Sequence, residues 1–122
     1  MSRFGRNIRP HVEAELLAAA EAEAKGQAHT AFAHLERAHV LGQAATVEHV
    51  RVHWRMFLWG LRQRNARECL GHLLRIGGAA TKTAIGLVPH GNTGGSNVSP
   101  FERIPVPPEL EARIQRAHAS GR

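Results

Sequence analysis

Two pairs of residues in the middle of this 122-residue chain have the types and spacing to hold a metal ion. His49 and His53 stand four apart, which places two imidazoles on one face of a helix and lets both reach one cation. Glu36 and His39 stand three apart in Glu36-Arg37-Ala38-His39, the Glu-x-x-His arrangement that helical bundles use for metals. Each pair alone is a weak signal. The punctuation around them strengthens both. His39 lies three residues before Gly42 and His49 three after Thr46, so an antiparallel hairpin turning between them brings the two imidazoles to one level. Glu36 and His53 fall one turn further from the loop. Three imidazoles with one carboxylate suit Zn²⁺ and accept Co²⁺, Ni²⁺ or Cu²⁺ as well. Met56, one turn after His53, offers copper a softer donor, and His72 on the following helix offers one more nitrogen. The competing reading is a purely structural polar cluster, because a buried imidazole left without a partner costs about 1 to 3 kcal/mol. His34 is five residues from His39 and fits the site less well, as does His29; His11, His90 and His118 are expected at the surface.

The elements that must position these residues are helices. Alanine is abundant and β-branched runs are absent before Val98. Pro10 suits a first helical position, so the first helix is expected over about 10–25, ending at Gly26. A second runs from Ala28 to Gly42, with Gly42 as its C′ residue. Thr46 caps a third that continues to about Arg64, and Asn65-Ala66-Arg67-Glu68 has the form of a capping box opening a fourth. The even spacing of these starts predicts two helical hairpins in a tetratricopeptide-like array of four helices. Gly77-Gly78 weakens the fourth helix, which resumes through Ile85, and Pro89 ends any helix. The segment 89–108 reads as a Gly/Pro-rich loop draped on the body through Val98, Phe101 and Ile104. A short helix over 109–119 follows, with Pro108 in its first turn and Leu110, Ile114 and Ala117 as its apolar stripe. The whole is expected to be one all-α domain over 1–122, its helical body spanning about 10–88. The buried face of the second helix is expected to hold Ala28, Phe32, Leu35 and His39. That of the third is expected to be Val47, Val50, Trp54, Phe57 or Leu58, and Leu61, with His49, His53 and Met56 on an adjoining face.

Charge gives a second candidate activity. The net charge is +6, and residues 51–82 carry all of it, with seven basic side chains against Glu68 alone. Arg51, Arg55 and Arg62 form a stripe on one face of the third helix, with Arg64 and Arg67 in the following turn, able to bind an acidic protein or a nucleic acid; the competing reading is a solvated face, since no nucleic-acid motif is present and aromatic stacking platforms are few. Gly77 to Thr83 resembles a phosphate loop only superficially, since Thr81 stands where the glycine before the lysine belongs. The backbone amides of Gly91 to Asn97 could nest an anion, and the same loop could equally pack across a homodimer interface. Cys69 is expected as a buried, inert thiol beside Ala66, Leu70, Leu73 and Leu74. A lone cysteine, a charged start and the lack of any long apolar run predict a cytoplasmic protein with no membrane span. No general base can be named for a catalytic metal, so a binding protein is expected in preference to an enzyme.

Across His34-Leu35-Glu36-Arg37-Ala38-His39-Val40-Leu41-Gly42-Gln43, His49-Val50-Arg51-Val52-His53-Trp54, Gly78-Ala79-Ala80-Thr81-Lys82-Thr83-Ala84 and Val88-Pro89-His90-Gly91-Asn92-Thr93-Gly94-Gly95, the sequence resembles a family of short bacterial proteins of unknown function, over about residues 10 to 110. The resemblance implies a bacterial source and a genomic association with heavy-metal resistance determinants. It carries over no catalytic residues.

Overall fold

The structure, a computed structural model, describes residues 2–65, 67–72, 74, 76 and 105–119. All regular elements among them are helices, as the composition predicts. Helix α1 spans Arg3–Ala24, α2 Ala28–Gly42 and α3 Thr46–Arg62; α4 covers residues 67–72 and α5 spans Pro108–Ala119. None is long and apolar enough to cross a membrane. The expectations for Gly77-Gly78, for the phosphate-loop resemblance and for the loop with Val98, Phe101 and Ile104 lie outside the described residues.

Helix α1 starts two turns earlier than expected, and Pro10 lies in its interior instead of its first turn. The Ser2 hydroxyl accepts from the Gly5 amide at 2.9 Å and caps the new start. Proline inside a helix costs about 3 kcal/mol. The compensation is an apolar stripe that runs straight past it: Ile8, Val12, Leu16, Ala19 and Ala22 are all buried, and the Pro10 ring faces solvent. The other end is as predicted. Gly26 takes φ +75°, its amide reaches the Glu23 carbonyl at 2.9 Å and the Gln27 amide reaches Ala22 at 2.9 Å, a Schellman closure.

At Gly42 the residue type was legible and its reason was not. It is the last residue of α2, buried and right-handed, and α2 leaves through Gln43 at φ −63°. Its lack of a side chain matters for packing: a Cβ there would stand 2.9 Å from Glu48 Cβ and 3.3 Å from Val12 Cγ2. Thr46 likewise differs from expectation, being the first helical residue after Ala45 and making no side-chain cap. Asn65 does cap α4, its Oδ1 accepting from the Glu68 amide at 3.1 Å.

Helices α1 and α2 pack antiparallel along their lengths. Helix α3 runs back along α2, Trp59 near its end donating to the Ala28 carbonyl at 3.0 Å and packing on Phe32. Helix α5 lies across α1 and α2 on the predicted stripe Leu110, Ile114 and Ala117. A buried carboxylate ties these three helices: Glu15 of α1 accepts from His34 (2.8 Å) and Arg37 (3.1 Å) of α2 and meets Arg113 of α5 at 3.4 Å. Burial would push its carboxyl up, but the hydrogen bonds from Arg37 and His34 outweigh this and hold it below its ordinary value.

The inner face of α3 is the main correction. Val47, Trp54 and Leu61, expected in the core, are about half exposed, whereas Glu48, His49, Val52, His53, Met56 and Trp59 are buried. The more polar face is inside, where polar side chains of α1 and α2 reach it. Glu48, fully buried, meets Arg51 at 3.2 Å and Arg9 at 3.4 Å, and the histidines meet one another.

Three outcomes follow for stability, measured by denaturant unfolding of the metal-free chain. Gly42→Ala lowers it by about 1 to 3 kcal/mol despite the better helix propensity of alanine, because the α3 backbone must move aside. Met56→Ala costs about 2 to 5 kcal/mol and Leu61→Ala under about 1 kcal/mol; equal costs would contradict the orientation of α3. The charged form of Glu15 favours the fold, so its contribution is complete above the ordinary carboxyl value of 4.5 and is lost as pH falls through the lower native value. Glu15→Gln therefore flattens the acid limb of a stability-versus-pH curve.

Candidate metal centre

Between the end of α2 and the start of α3, three buried imidazoles converge. His39 Nε2 lies 3.0 Å from His49 Nε2 and 3.1 Å from His53 Nε2, and the last two are 3.2 Å apart. The hairpin accounts for this. The short turn over residues 43–45, with the Ala45 amide on the Gly42 carbonyl at 2.9 Å, sets His39 level with His49. Helical periodicity then adds His53 from one turn along. The ring of His39 stands at 71° and 70° to the other two, so all three point one nitrogen inward without stacking.

On the far side of His53 a second chain of contacts begins. His53 Nδ1 is 2.9 Å from His72 Nδ1, and His72 Nε2 donates to Glu68 Oε2 at 2.7 Å. His72 is fully buried, and it meets His53 on the ring nitrogen opposite the one in the triangle. Helix α4, which carries Glu68 and His72, approaches α3 closely at Gly60, where a Cβ would stand 3.0 Å from Cys69 Sγ.

The triangle restricts its own chemistry. A ring nitrogen carries in its plane either a proton or a lone pair, never both. Of three nitrogens in mutual contact, a proton on one can bond to one neighbour in good geometry, and the remaining approaches are repulsive or empty of hydrogen. A single cation at the centre satisfies all three lone pairs at once. Nitrogens about 2.05 Å from zinc stand about 3.3 Å apart in a tetrahedron, and about 2.9 Å apart in an octahedron. The observed 3.0 to 3.2 Å lies between, so the three residues fit a transition-metal ion.

Among the described residues, His39, His49 and His53 form the group whose ligand atoms all lie within 4.8 Å of one another. Glu36 is partly exposed and stands outside that group. Met56 is fully buried on the same side of α3. The arginines expected to bind a polyanion are in good part engaged within the chain: Arg51 with Glu13 and Glu48, Arg62 with Glu23. Burial disfavours the Arg51 charge, but Glu13 and Glu48 hold its guanidinium above the ordinary value. Arg55 borders a groove with Leu16, Ala19, Glu23 and Arg62, while Arg64, at φ 54°, and Arg67 are exposed.

Cys69 is partly buried, its thiol 3.8 Å from the Phe57 carbonyl, but Leu70 and Leu74 beside it are exposed where an apolar face was expected. His29 and His118 are exposed, the latter stacked on Phe4, and His34 serves Glu15. His11 is partly buried, and burial with Arg113 and Arg116 nearby lowers its pKa. Sequence reasoning missed Glu68, although its position four before His72 is the same one-turn signal that marked His49 and His53.

No curated protein and no solved structure matches this chain. A family profile does, over residues 6–114, and the chain therefore belongs to the family described as protein of unknown function (DUF3703).

Proposed function

We propose that this protein binds one transition-metal ion through the Nε2 atoms of His39, His49 and His53, and works as a metal-binding accessory protein, a buffer or carrier, alongside metal-resistance systems. The observation that supports this is the closed triangle of ring nitrogens at 3.0, 3.1 and 3.2 Å, buried where hydrogen bonds alone cannot satisfy every contact. Zinc is the preferred ion. It accepts imidazole readily and imposes little geometry of its own, whereas copper binds the same donors more tightly wherever it is available. Three protein ligands leave a further coordination position. Glu36, one turn before His39 on α2, and Met56, one turn beyond His53 on α3, are the chain's own candidates for it, with water as the other.

The test is a zinc titration of tag-free, metal-free protein by calorimetry, paired with elemental analysis of the purified chain. One ion per chain is expected, with a thermal midpoint that rises with zinc, since ligand at a hundred times Kd adds about 2.7 kcal/mol. His49→Gln and His53→Gln should each weaken binding at least tenfold while the apo protein stays helical. Failure of the wild type to take up zinc or copper below millimolar concentration, or uptake unchanged in a His39, His49 and His53 triple variant, would remove the proposal.

A further inference from the structure

We infer that Glu68 and His72 of α4 are positioning residues for the bound ion, an outer shell that fixes the proton of His53 and so presents its Nε2 lone pair to the centre. The inference rests on the three-histidine reading above and extends it to a helix that supplies no ligand to the triangle.

With both rings neutral, the assignment of protons runs from the outside inward. Glu68 Oε2 is an acceptor, so His72 Nε2, 2.7 Å away, carries a hydrogen. A neutral imidazole has one ring N–H, which leaves His72 Nδ1 with a lone pair. His53 Nδ1, 2.9 Å from it, must then donate. With its hydrogen committed there, His53 Nε2 bears a lone pair, and that atom is the one 3.1 and 3.2 Å from the other two triangle nitrogens. One carboxylate at the end of the chain thus sets a unique tautomer two residues away, at a ring that is itself buried and held in place. Metal-bound histidines ordinarily have such a partner on their second nitrogen, and its removal typically weakens binding ten- to a hundredfold.

The placement is built in several ways. Helix α4 is capped by Asn65 at the Glu68 amide and seated against Gly60 through Cys69, so the backbone carrying Glu68 and His72 is held to α3 independently of the hydrogen-bond chain. His72 is fully buried and the Glu68 side chain is mostly so. Among the described residues, Leu70 and Leu74 are exposed, so it is the polar pair and not these leucines that faces inward.

Glu68→Ala, Glu68→Gln and His72→Phe in the full chain test this by zinc calorimetry, by the visible spectrum of the cobalt form and by unfolding of the apo protein. The expected result is a ten- to hundredfold loss of zinc affinity in Glu68→Ala and His72→Phe, with an altered cobalt spectrum, while the apo chain stays folded at the temperature of the titration. Glu68→Gln, whose amide oxygen still accepts from His72, should recover most of the affinity. Unchanged affinity and an unchanged cobalt spectrum in Glu68→Ala would overturn the inference while leaving the three-histidine site standing. A loss of affinity that only parallels a loss of apo stability would also overturn it, reducing both residues to fold support. A wild type that binds neither zinc nor cobalt would overturn the reading beneath it as well.

Discussion

The meeting of three imidazole nitrogens between α2 and α3 governs how α3 is turned, and with it the composition of the core. Burying Glu48, His49 and His53 removes three polar groups from water, at a cost that is prohibitive for each alone and acceptable when each finds partners. His39 on α2 is placed to meet the two histidines, and Arg9 on α1 reaches Glu48 together with Arg51. Once these contacts form, Met56 and Trp59 on the same face are carried inward, and Val47, Trp54 and Leu61 are left outside.

That coupling explains what could be read from the sequence and what could not. The starts of α2 and α3, the break at Gly26 and the stripe Leu110, Ile114 and Ala117 depend on local signals and appear at the expected positions, although Thr46 opens α3 without capping it. The level matching of His39 and His49 was legible too, because it needs only a turn length and a helical rise. The buried face of α3 was not. Ranking its faces by apolar content treats every polar residue as a separate penalty, and one partner of Glu48 lies 39 residues upstream and one of His53 lies 19 downstream. Pro10 misled for a related reason: proline as a helix start is a local rule, and the stripe from Ile8 to Ala22 that overrides it is a packing effect.

The concentration of basic residues after position 50 takes on a different meaning in the folded chain. Arg51 reaches Glu13 and Arg62 reaches Glu23, so two of these side chains fasten α3 to α1 at either end of the hairpin. Glu15 performs the corresponding task on the other side of α1, holding α2 and α5 through Arg37 and Arg113. Exposed ion pairs contribute little each, and these separate groups, which between them touch four helices, act mainly on the relative rotation of the helices. Rotation is what the triangle needs, because a small turn of α3 would carry His49 and His53 apart from His39.

A divalent ion on three neutral imidazoles keeps its whole charge in a poorly hydrated place, where an unpaired charge is costly. Glu48 is badly suited to compensate, being already shared between Arg9 and Arg51. Glu68 is better placed. Through His72 it would polarise the Nδ1–H bond of His53, raising the basicity of the nitrogen turned toward a bound ion and spreading negative charge toward it. A directly bound carboxylate would bind more tightly and cancel more charge. An anion held two rings away would leave a bound ion more electrophilic than a direct carboxylate would, an arrangement that would suit release of a metal as well as its capture.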